Sequence, residues 1–115
     1  MIKRGEVWLA SLNPVHGSEQ AGTRPVIIFP ENTLSQFTTT IITIPITSNL
    51  RRALLPTCIK ISSGEGGLNQ ESVAICHQIR VLDKTRLTKK LGQLESETIS
   101  LLETTILFTL GYSIE

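Results

Sequence analysis

Thr38-Thr39-Thr40-Ile41-Ile42-Thr43-Ile44-Pro45-Ile46-Thr47 is the segment with the strongest β signal in this chain. β-Branched side chains lose little conformational freedom in an extended backbone, and they pack well on a pleated surface. Pro45 has no amide hydrogen for a strand ladder, so we expect it at an edge, a bulge or the strand's end. The segment therefore predicts a strand, after which Thr47, Ser48 and Asn49 leave the sheet with polar side chains available.

Further strands are predicted on both sides of this segment. Glu6–Leu12 has apolar residues on both of its alternating sides, which is typical of a strand near the centre of a sheet. The other predicted strands are Val26–Phe29, Pro56–Ile61 and Ser72–Leu82. The predicted connections are Glu31–Gln36 as an irregular connector or one helical turn, Arg51–Leu55 as a loop or short turn, Ser62–Gly67 as a glycine-rich turn, and Lys84–Lys90 as a turn or short helix.

The last segment of the chain changes to a helical period. Ser96 suits the N-cap, Glu97 suits the positive end of the helix dipole, and Gly111 suits the C′ position. So much apolar surface on one helix predicts that it packs on the sheet and also contacts a second subunit. The apolar residues are Ile99, Leu102, Ile106 and Leu110 on one face, with Leu101, Leu107 and Phe108 beside them.

A run of strands followed by one helix excludes a doubly wound sheet. It favours an α+β fold, a small barrel or curled, mostly antiparallel sheet with a C-terminal helix. The 115 residues predict a single domain, 1–115, with one hydrophobic core. The formal net charge of +1 provides no general attraction to nucleic acid. Binding would have to come from local clusters, Arg51-Arg52 or the series Lys84, Arg86, Lys89 and Lys90, and a solvated surface is the alternative for both.

Cys58 and Cys76 lack the CxxC spacing and lie in apolar surroundings, which predicts two buried thiols in a reducing compartment. No apolar run approaches 18 residues and no secretion signal is evident, so we expect a cytoplasmic protein without a membrane segment. With His16 and His77 added, these residues still show no recognised ligand spacing. No metal and no cofactor is therefore expected.

The loop Gly17–Val26 combines a carboxylate, Glu19, with a guanidinium, Arg24, between glycines. Pro25 keeps Arg24 out of the helical region and directs the chain into the next strand. Loops that a rigid scaffold positions in this way often carry function. The alternative is an exposed hairpin loop whose charged groups are only solvated.

Three blocks follow one another in the chain. The first comprises Arg4-Gly5-Glu6-Val7-Trp8-Leu9, Leu12-Asn13-Pro14, Gly17-Ser18-Glu19-Gln20 and Gly22-Thr23-Arg24-Pro25-Val26. The second is Ile44-Pro45-Ile46-Thr47-Ser48, and the third is Cys76-His77-Gln78-Ile79-Arg80-Val81-Leu82-Asp83-Lys84. In order and spacing they resemble the MazF/PemK (Kid) toxins, over nearly the whole chain.

The resemblance implies an SH3-like barrel of the PemK/CcdB sort that forms a homodimer. It also implies a type II toxin, a metal-independent, sequence-selective endoribonuclease that arrests growth by cleaving single-stranded RNA or mRNA. The products would carry 2′,3′-cyclic phosphate and 5′-hydroxyl ends. A cognate antitoxin would lay a disordered acidic and apolar segment into the RNA groove. The alternatives are a non-enzymatic DNA gyrase poison of the same fold and a plain SH3-like interaction module.

Such cleavage requires a base, an acid and a fixed cation or strong donors for the charge that develops on the phosphate. Arg24 is the first candidate because its guanidinium fork matches phosphate oxygens, although a structural salt bridge with Glu19 is the alternative. Thr47 would donate its hydroxyl to the same phosphate. Glu19 would act as the base or orient Arg24.

His77 stands where some family members carry an acidic residue, and histidine exchanges protons near neutral pH. The base is therefore Glu19 or His77, unless His77 only contacts RNA. Gln78 is expected to contact bases or to position the phosphate. The other predicted RNA contacts are Ser18, Gln20, Ser48, Arg80 and His16, the last of which could equally be simply exposed.

Overall fold

The computed structural model describes residues 2–12 and 22–112, and in these residues the chain forms seven β-strands and two α-helices. The strands are β1 (Glu6–Ser11), β2 (Thr23–Ile28), β3 (Thr40–Thr47), β4 (Cys58–Ile61), β5 (Ser72–Ile75), β6 (Arg80–Asp83) and β7 (Leu87–Gln93). The helices are α1 (Asn32–Ser35) and α2 (Ser96–Thr109). Single 3-10 turns occur at Leu50–Leu54, Glu65–Gly67, Cys76–Gln78 and Lys84–Arg86.

The strands form one sheet in the order β4-β5-β3-β2-β1-β7, and β6 also pairs with β3. Every pairing among the described residues is antiparallel. The predicted α+β fold, a mostly antiparallel sheet with a C-terminal helix, is confirmed. The sheet is open and is not a closed barrel, because its end strands β4 and β7 do not pair with each other within the described ranges.

The segment rich in threonine and isoleucine forms β3, which pairs with β2 along one side. Along its other side β3 pairs first with β6, through Thr40–Thr43, and then with β5, through Ile46 and Thr47. Pro45 lies between these two ladders. Its missing amide hydrogen therefore leaves no gap in either ladder, and a proline is accommodated inside a central strand rather than at an edge.

Two apolar clusters lie against the sheet. The larger joins Leu102 and Ile106 of α2 to Val7, Ile27 and Ile44 in the central strands, with further residues of β4 and β5. The smaller consists of Ala10, Leu12, Val26 and Leu82, with Leu87 packed beside them. Burial of this apolar surface is the main force that holds α2 on the sheet.

Two predictions of secondary structure were wrong. Ser72–Leu82 is not one strand, because β5 and β6 are separated by the turn Cys76–Gln78 at the place where β3 changes partner. The prediction for Lys84–Lys90 missed β7, which follows the turn Lys84–Arg86 and pairs with β1. The side chains of β7 are exposed or half-buried, so its composition is weakly β-like and the pairing with β1 decides its conformation.

Of the two predicted ends of α2, only the C-terminal end agrees with the structure. Ser96 is the first helical residue and Glu95 is the N-cap, without a side-chain bond to the helix, so the predicted cap was wrong by one position. Gly111 occupies the predicted C′ position with φ of +87°, and its amide donates to the carbonyl of Phe108 at 3.0 Å. The next amide donates to the carbonyl of Leu107 at 2.8 Å, which completes a Schellman motif.

The apolar surface of α2 is only partly covered. Leu102 and Ile106 are buried, whereas Leu110, predicted on the same face, is exposed. Leu101, Leu107 and Phe108 are also exposed, by 52%, 39% and 56%. In the part of the chain that the structure describes, no helix is both long and apolar enough to span a membrane.

Candidate functional site

A cleft of about 280 Å³ opens at the ends of β2 and β3, next to the segment that leads into β5. This volume is at the lower end of the range of about 300–1,000 Å³ that is typical of ligand pockets. Polar and apolar residues from two parts of the chain line it. The lining residues are Arg24, Pro25, Thr47 and Ser48 at the strand ends, here called the first wall, Gly67, Leu68, Asn69, Gln70 and Ser72 on the segment that leads into β5, here called the second wall, and the apolar Leu9, Ile46 and Leu91.

Arg24 and Thr47 lie on adjacent strands of the first wall. The pairing of β2 with β3 ends where Val26 meets Pro45, and Arg24 and Thr47 each lie two residues beyond that last pair. Both residues line the cleft. Arg24 is exposed and Thr47 is half-buried, so neither side chain is turned into the core. The tertiary structure thus brings the two groups to one cleft.

The hydroxyl of Thr47 is oriented by the chain that follows it. The amide of Asn49 donates to Thr47 Oγ1 at 3.2 Å, so the oxygen accepts in this bond and its own hydrogen can be donated into the cleft. Asn49 Oδ1 in turn accepts from the amide of Arg51 at 3.2 Å, which starts the turn Leu50–Leu54. This bonded turn holds Thr47 and the exposed Ser48 at the cleft.

The second wall was not predicted from the sequence as part of a site. Asn69 and Gln70 are exposed and line the cleft, on the segment after the turn Glu65–Gly67. In the sequence, these residues appear only as two neighbouring carboxamides shortly after a glycine-rich turn. Without the strand order, this pattern does not indicate that they lie near Arg24.

His77, Gln78 and Arg80 lie at the other end of β5 and are not part of this cleft's lining. His77 is exposed, and its Nδ1 is 2.6 Å from the hydroxyl oxygen of Thr57. Gln78 and Arg80 are half-buried, and the carbonyl of Arg80 accepts from Thr43 Oγ1 at 3.1 Å. The contacts predicted for these three residues stay predictions.

Four of the predicted residues are in the first long loop. His16, Ser18, Glu19 and Gln20 lie outside the described residues, so their predicted roles also stay predictions.

Three cations of the predicted basic series bind groups of the protein itself. Lys84 Nζ donates to the carbonyl of Ser35 in α1, and Arg86 Nη1 donates to the carbonyl of Ser11 at 3.1 Å. Lys90 Nζ pairs with the carboxylate of Glu6 at 2.9 Å. These contacts tie β7 and the turn before it to β1 and α1, so the three cations have a structural role.

Glu6 is a carboxylate enclosed by donors, with a side chain only 3% exposed. Its Oε1 accepts from the Lys3 amide at 2.9 Å and from Trp8 Nε1 at 3.0 Å, while Oε2 meets Lys90. Burial alone would raise the pKa of Glu6, but the hydrogen bonds from Lys90, Trp8 and Lys3 and the charge of Lys90 lower it below the ordinary 4.5. Its donors make Glu6 a structural group rather than a candidate base.

The two cysteines are free thiols, Cys76 buried and Cys58 half-buried. Burial raises the pKa of both, and that of Cys76 rises to about 12 with a further contribution from neighbouring Cys58. A thiol needs to lose its proton to act as a nucleophile or metal ligand, so the buried Cys76 behaves as apolar packing. Within residues 2–12 and 22–112, no three His, Cys, Asp or Glu side chains form a group that could hold a metal ion.

Comparison with known proteins identifies the family. Residues 3–110 match the model of the PemK-like, MazF-like toxins of type II toxin–antitoxin systems. The chain belongs to this family. It is also 40% identical over 111 residues to the endoribonuclease MazF of Staphylococcus saprophyticus, an alignment that covers 96% of this chain and 92% of that protein. The resemblance inferred from the three sequence blocks is thereby confirmed.

Solved structures of MazF toxins share the fold. An endoribonuclease in complex with its cognate antitoxin, from a mycobacterial species, superposes with a TM-score of 0.83 at 21% identity and covers 100% of both chains. MazF of Deinococcus radiodurans superposes with a TM-score of 0.82 at 20% identity and covers 96% of each chain. At such identities these neighbours support the fold, while the family model and the MazF relative carry the family assignment.

Proposed function

We propose that this MazF-family endoribonuclease toxin cleaves single-stranded RNA at selected sequences without a metal ion, leaving 2′,3′-cyclic phosphate and 5′-hydroxyl ends. The observation that carries the proposal is that Arg24 and Thr47, a guanidinium and an oriented hydroxyl, line one cleft. RNA is required because the attacking group is the 2′-hydroxyl, which DNA lacks. In a cell, cleavage of mRNA in this way would arrest growth.

In the proposed reaction a base removes the proton of the 2′-hydroxyl, and the 2′-oxygen attacks the adjacent phosphorus. The bond from phosphorus to the 5′-oxygen breaks, and that oxygen takes up a proton from an acid to become the 5′-hydroxyl. Negative charge accumulates on the phosphoryl oxygens. The guanidinium of Arg24 can bind two of these oxygens through its fork, and the Thr47 hydroxyl donates a further hydrogen bond. Donors that are in place before the charge develops stabilise the transition state most effectively, and the bonded turn after Thr47 provides such placement for its hydroxyl.

For the proton transfer we retain two candidates, Glu19 and His77. If His77 acts, its contact with the Thr57 hydroxyl occupies Nδ1, so Nε2 is the ring nitrogen that exchanges the proton. Substitution of each residue and measurement of the pH–rate profile separates them. Loss of one limb of the profile in the His77→Ala protein, but not in Glu19→Gln, would assign the role to His77.

The test of the proposed activity is incubation of purified protein with a mixed-sequence RNA pool in EDTA. Discrete fragments with cyclic phosphate ends are expected. Intact RNA, or cleavage that stops in EDTA and returns with Mg²⁺, contradicts the proposal. The alternative of a DNA gyrase poison predicts intact RNA together with inhibited supercoiling, but a gyrase-binding surface has no need of the paired cation and hydroxyl.

We also propose that the toxin is neutralised by a cognate antitoxin, as the mycobacterial endoribonuclease forms a complex with its own. A disordered acidic and apolar segment would fold into the cleft region, with its carboxylates near Arg24. The proposed site of action is the cytoplasm, and residues 1–115 act as one domain. Addition of a synthetic antitoxin peptide should suppress RNA cleavage, and unaffected cleavage at saturating peptide would contradict this partner.

Finally, we propose that the exposed side of α2 packs against a second copy of this chain. Leu101 and Phe108 are seven residues apart and so project from the same side of the helix, where both are half exposed. Phe108→Glu is expected to convert dimers to monomers in analytical ultracentrifugation. Leu54→Glu, which places the same charge on a leucine that is 88% exposed, is the matched control and should remain dimeric. A dimer that survives Phe108→Glu would place the interface elsewhere.

A further inference from the structure

The second wall of the cleft presents uncharged polar groups. Asn69 and Gln70 are both exposed and both contribute to the lining. Their carboxamides form no hydrogen bond with any other group in the described part of the chain. The first wall, in contrast, carries the charge of Arg24 and the hydroxyls of Thr47 and Ser48.

The backbone beneath these carboxamides is held firmly. Gly67 has φ of +75°, and a Cβ at this position would come within 2.0 Å of the Leu91 carbonyl oxygen, so the chain is packed directly on β7. Leu68 is buried in the larger apolar cluster, and its carbonyl accepts from the Gly64 amide at 2.7 Å. Ser72 Oγ donates to the carbonyl of Gln70 at 3.0 Å. Asn69 and Gln70 are therefore presented from a fixed frame.

A carboxamide has a donor and an acceptor in one plane, as the edge of a nucleobase has. Because it is neutral, it has no strong preference for phosphate, which Arg24 can bind on the other wall. In nucleic-acid recognition, contacts to phosphate position the ligand and contacts to bases specify the sequence. Single-stranded RNA leaves its base edges accessible for such contacts.

We propose that Asn69 and Gln70 read the base next to the scissile phosphate and so determine which RNA sequences this toxin cleaves. This inference rests on the proposed endoribonuclease function. It divides the cleft into a wall that acts on the phosphate and a wall that selects the nucleotide.

The test uses RNA of randomised sequence, the intact protein, and sequencing of the fragment ends. Asn69→Ala and Gln70→Ala remove the carboxamides, and Asn69→Asp keeps the shape while it replaces the donor with an acceptor. Glu71→Gln is the matched control, since Glu71 is exposed on the same segment but does not line the cleft. Melting curves check that each variant folds.

In the alanine variants, the preference for one base over the others at one nucleotide position should fall by about 5- to 150-fold. Cleavage at other sequences should continue. Asn69→Asp should shift the preferred base rather than broaden it, and Glu71→Gln should reproduce the parent profile. If the parent fails to cleave the pool, the proposed function fails. If the parent cleaves and the Asn69 and Gln70 variants keep its base profile, the endoribonuclease proposal stands and this inference is overturned.

Discussion

The cleft at Arg24 and the ion pair between buried Glu6 and exposed Lys90 are two charged sites on neighbouring strands, and they differ in how far protein groups enclose the charge. Both oxygens of Glu6 are occupied by donors of the protein, and its side chain is almost fully enclosed. Arg24 is exposed and Thr47 is half-buried at an open cleft. The enclosed site therefore contributes to stability, whereas Arg24 and Thr47 are at a cleft that is open to solvent. Substitutions at the two sites should separate stability from activity.

The largest effect is expected for Arg24→Ala, measured as kcat/KM for RNA cleavage. Loss of a preorganised group that binds the developing charge should reduce the rate by about 10²–10³-fold. The melting temperature should change little, because an exposed ion pair contributes at most about 1 kcal/mol. Lys89→Met, which removes an exposed positive charge elsewhere, is the control for net charge. A large fall in melting temperature for Arg24→Ala would instead favour a structural salt bridge.

Thr47→Val should lower the cleavage rate by a smaller factor, about 10- to 150-fold. This factor corresponds to the free energy of one hydrogen bond to a charged group. The shape of the side chain is kept, so binding of RNA should weaken less than kcat falls. Thr47→Ser retains the hydroxyl and should recover most of the activity. Full activity in the valine variant would remove Thr47 from the proposed mechanism.

At the enclosed site, Lys90→Met should reduce the free energy of unfolding by about 1–3 kcal/mol, since a buried acceptor is left without its partner. RNA cleavage at a temperature where the variant is folded should be unchanged. Denaturant titration against Lys89→Met, the neighbouring lysine on the same strand, isolates the contribution of the pair. Equal stability of the two variants would show that Glu6 is satisfied without Lys90.

The smallest effect is expected in the pH dependence of stability. Because the pKa of Glu6 is lowered in the folded state, its contribution is present above the ordinary value of 4.5 and is lost as the pH falls through the folded pKa. Each unit by which the pKa is lowered corresponds to about 1.4 kcal/mol. Unfolding measured between pH 3 and pH 7 should show a weaker acid dependence for Glu6→Gln than for the parent. If the parent and Glu6→Gln lose the same amount of stability at low pH, other carboxylates are responsible for the acid dependence.

Predictions from the sequence succeeded where one segment carries its own signal. The β-branched run yielded β3, and Gly111 marked the end of α2, because side-chain sterics and backbone freedom act within a few residues. Prediction failed at β7, whose exposed lysines are typical of loops as well as of edge strands. It failed again at Asn69 and Gln70, which belong to a site only through strands distant in the chain.

The sequence by itself determined the α+β class, the C-terminal helix, the family, and the identity of Arg24 and Thr47 as candidate groups. Only the tertiary structure decided that β3 changes partner at Pro45, that Glu6 is enclosed by Lys90 and Trp8, and that a wall of carboxamides completes the cleft. The physical reason is the range of the interactions. Caps, turns and strand propensities depend on neighbouring residues, whereas strand order and the groups that meet across a cleft depend on which distant segments bury their apolar surface together.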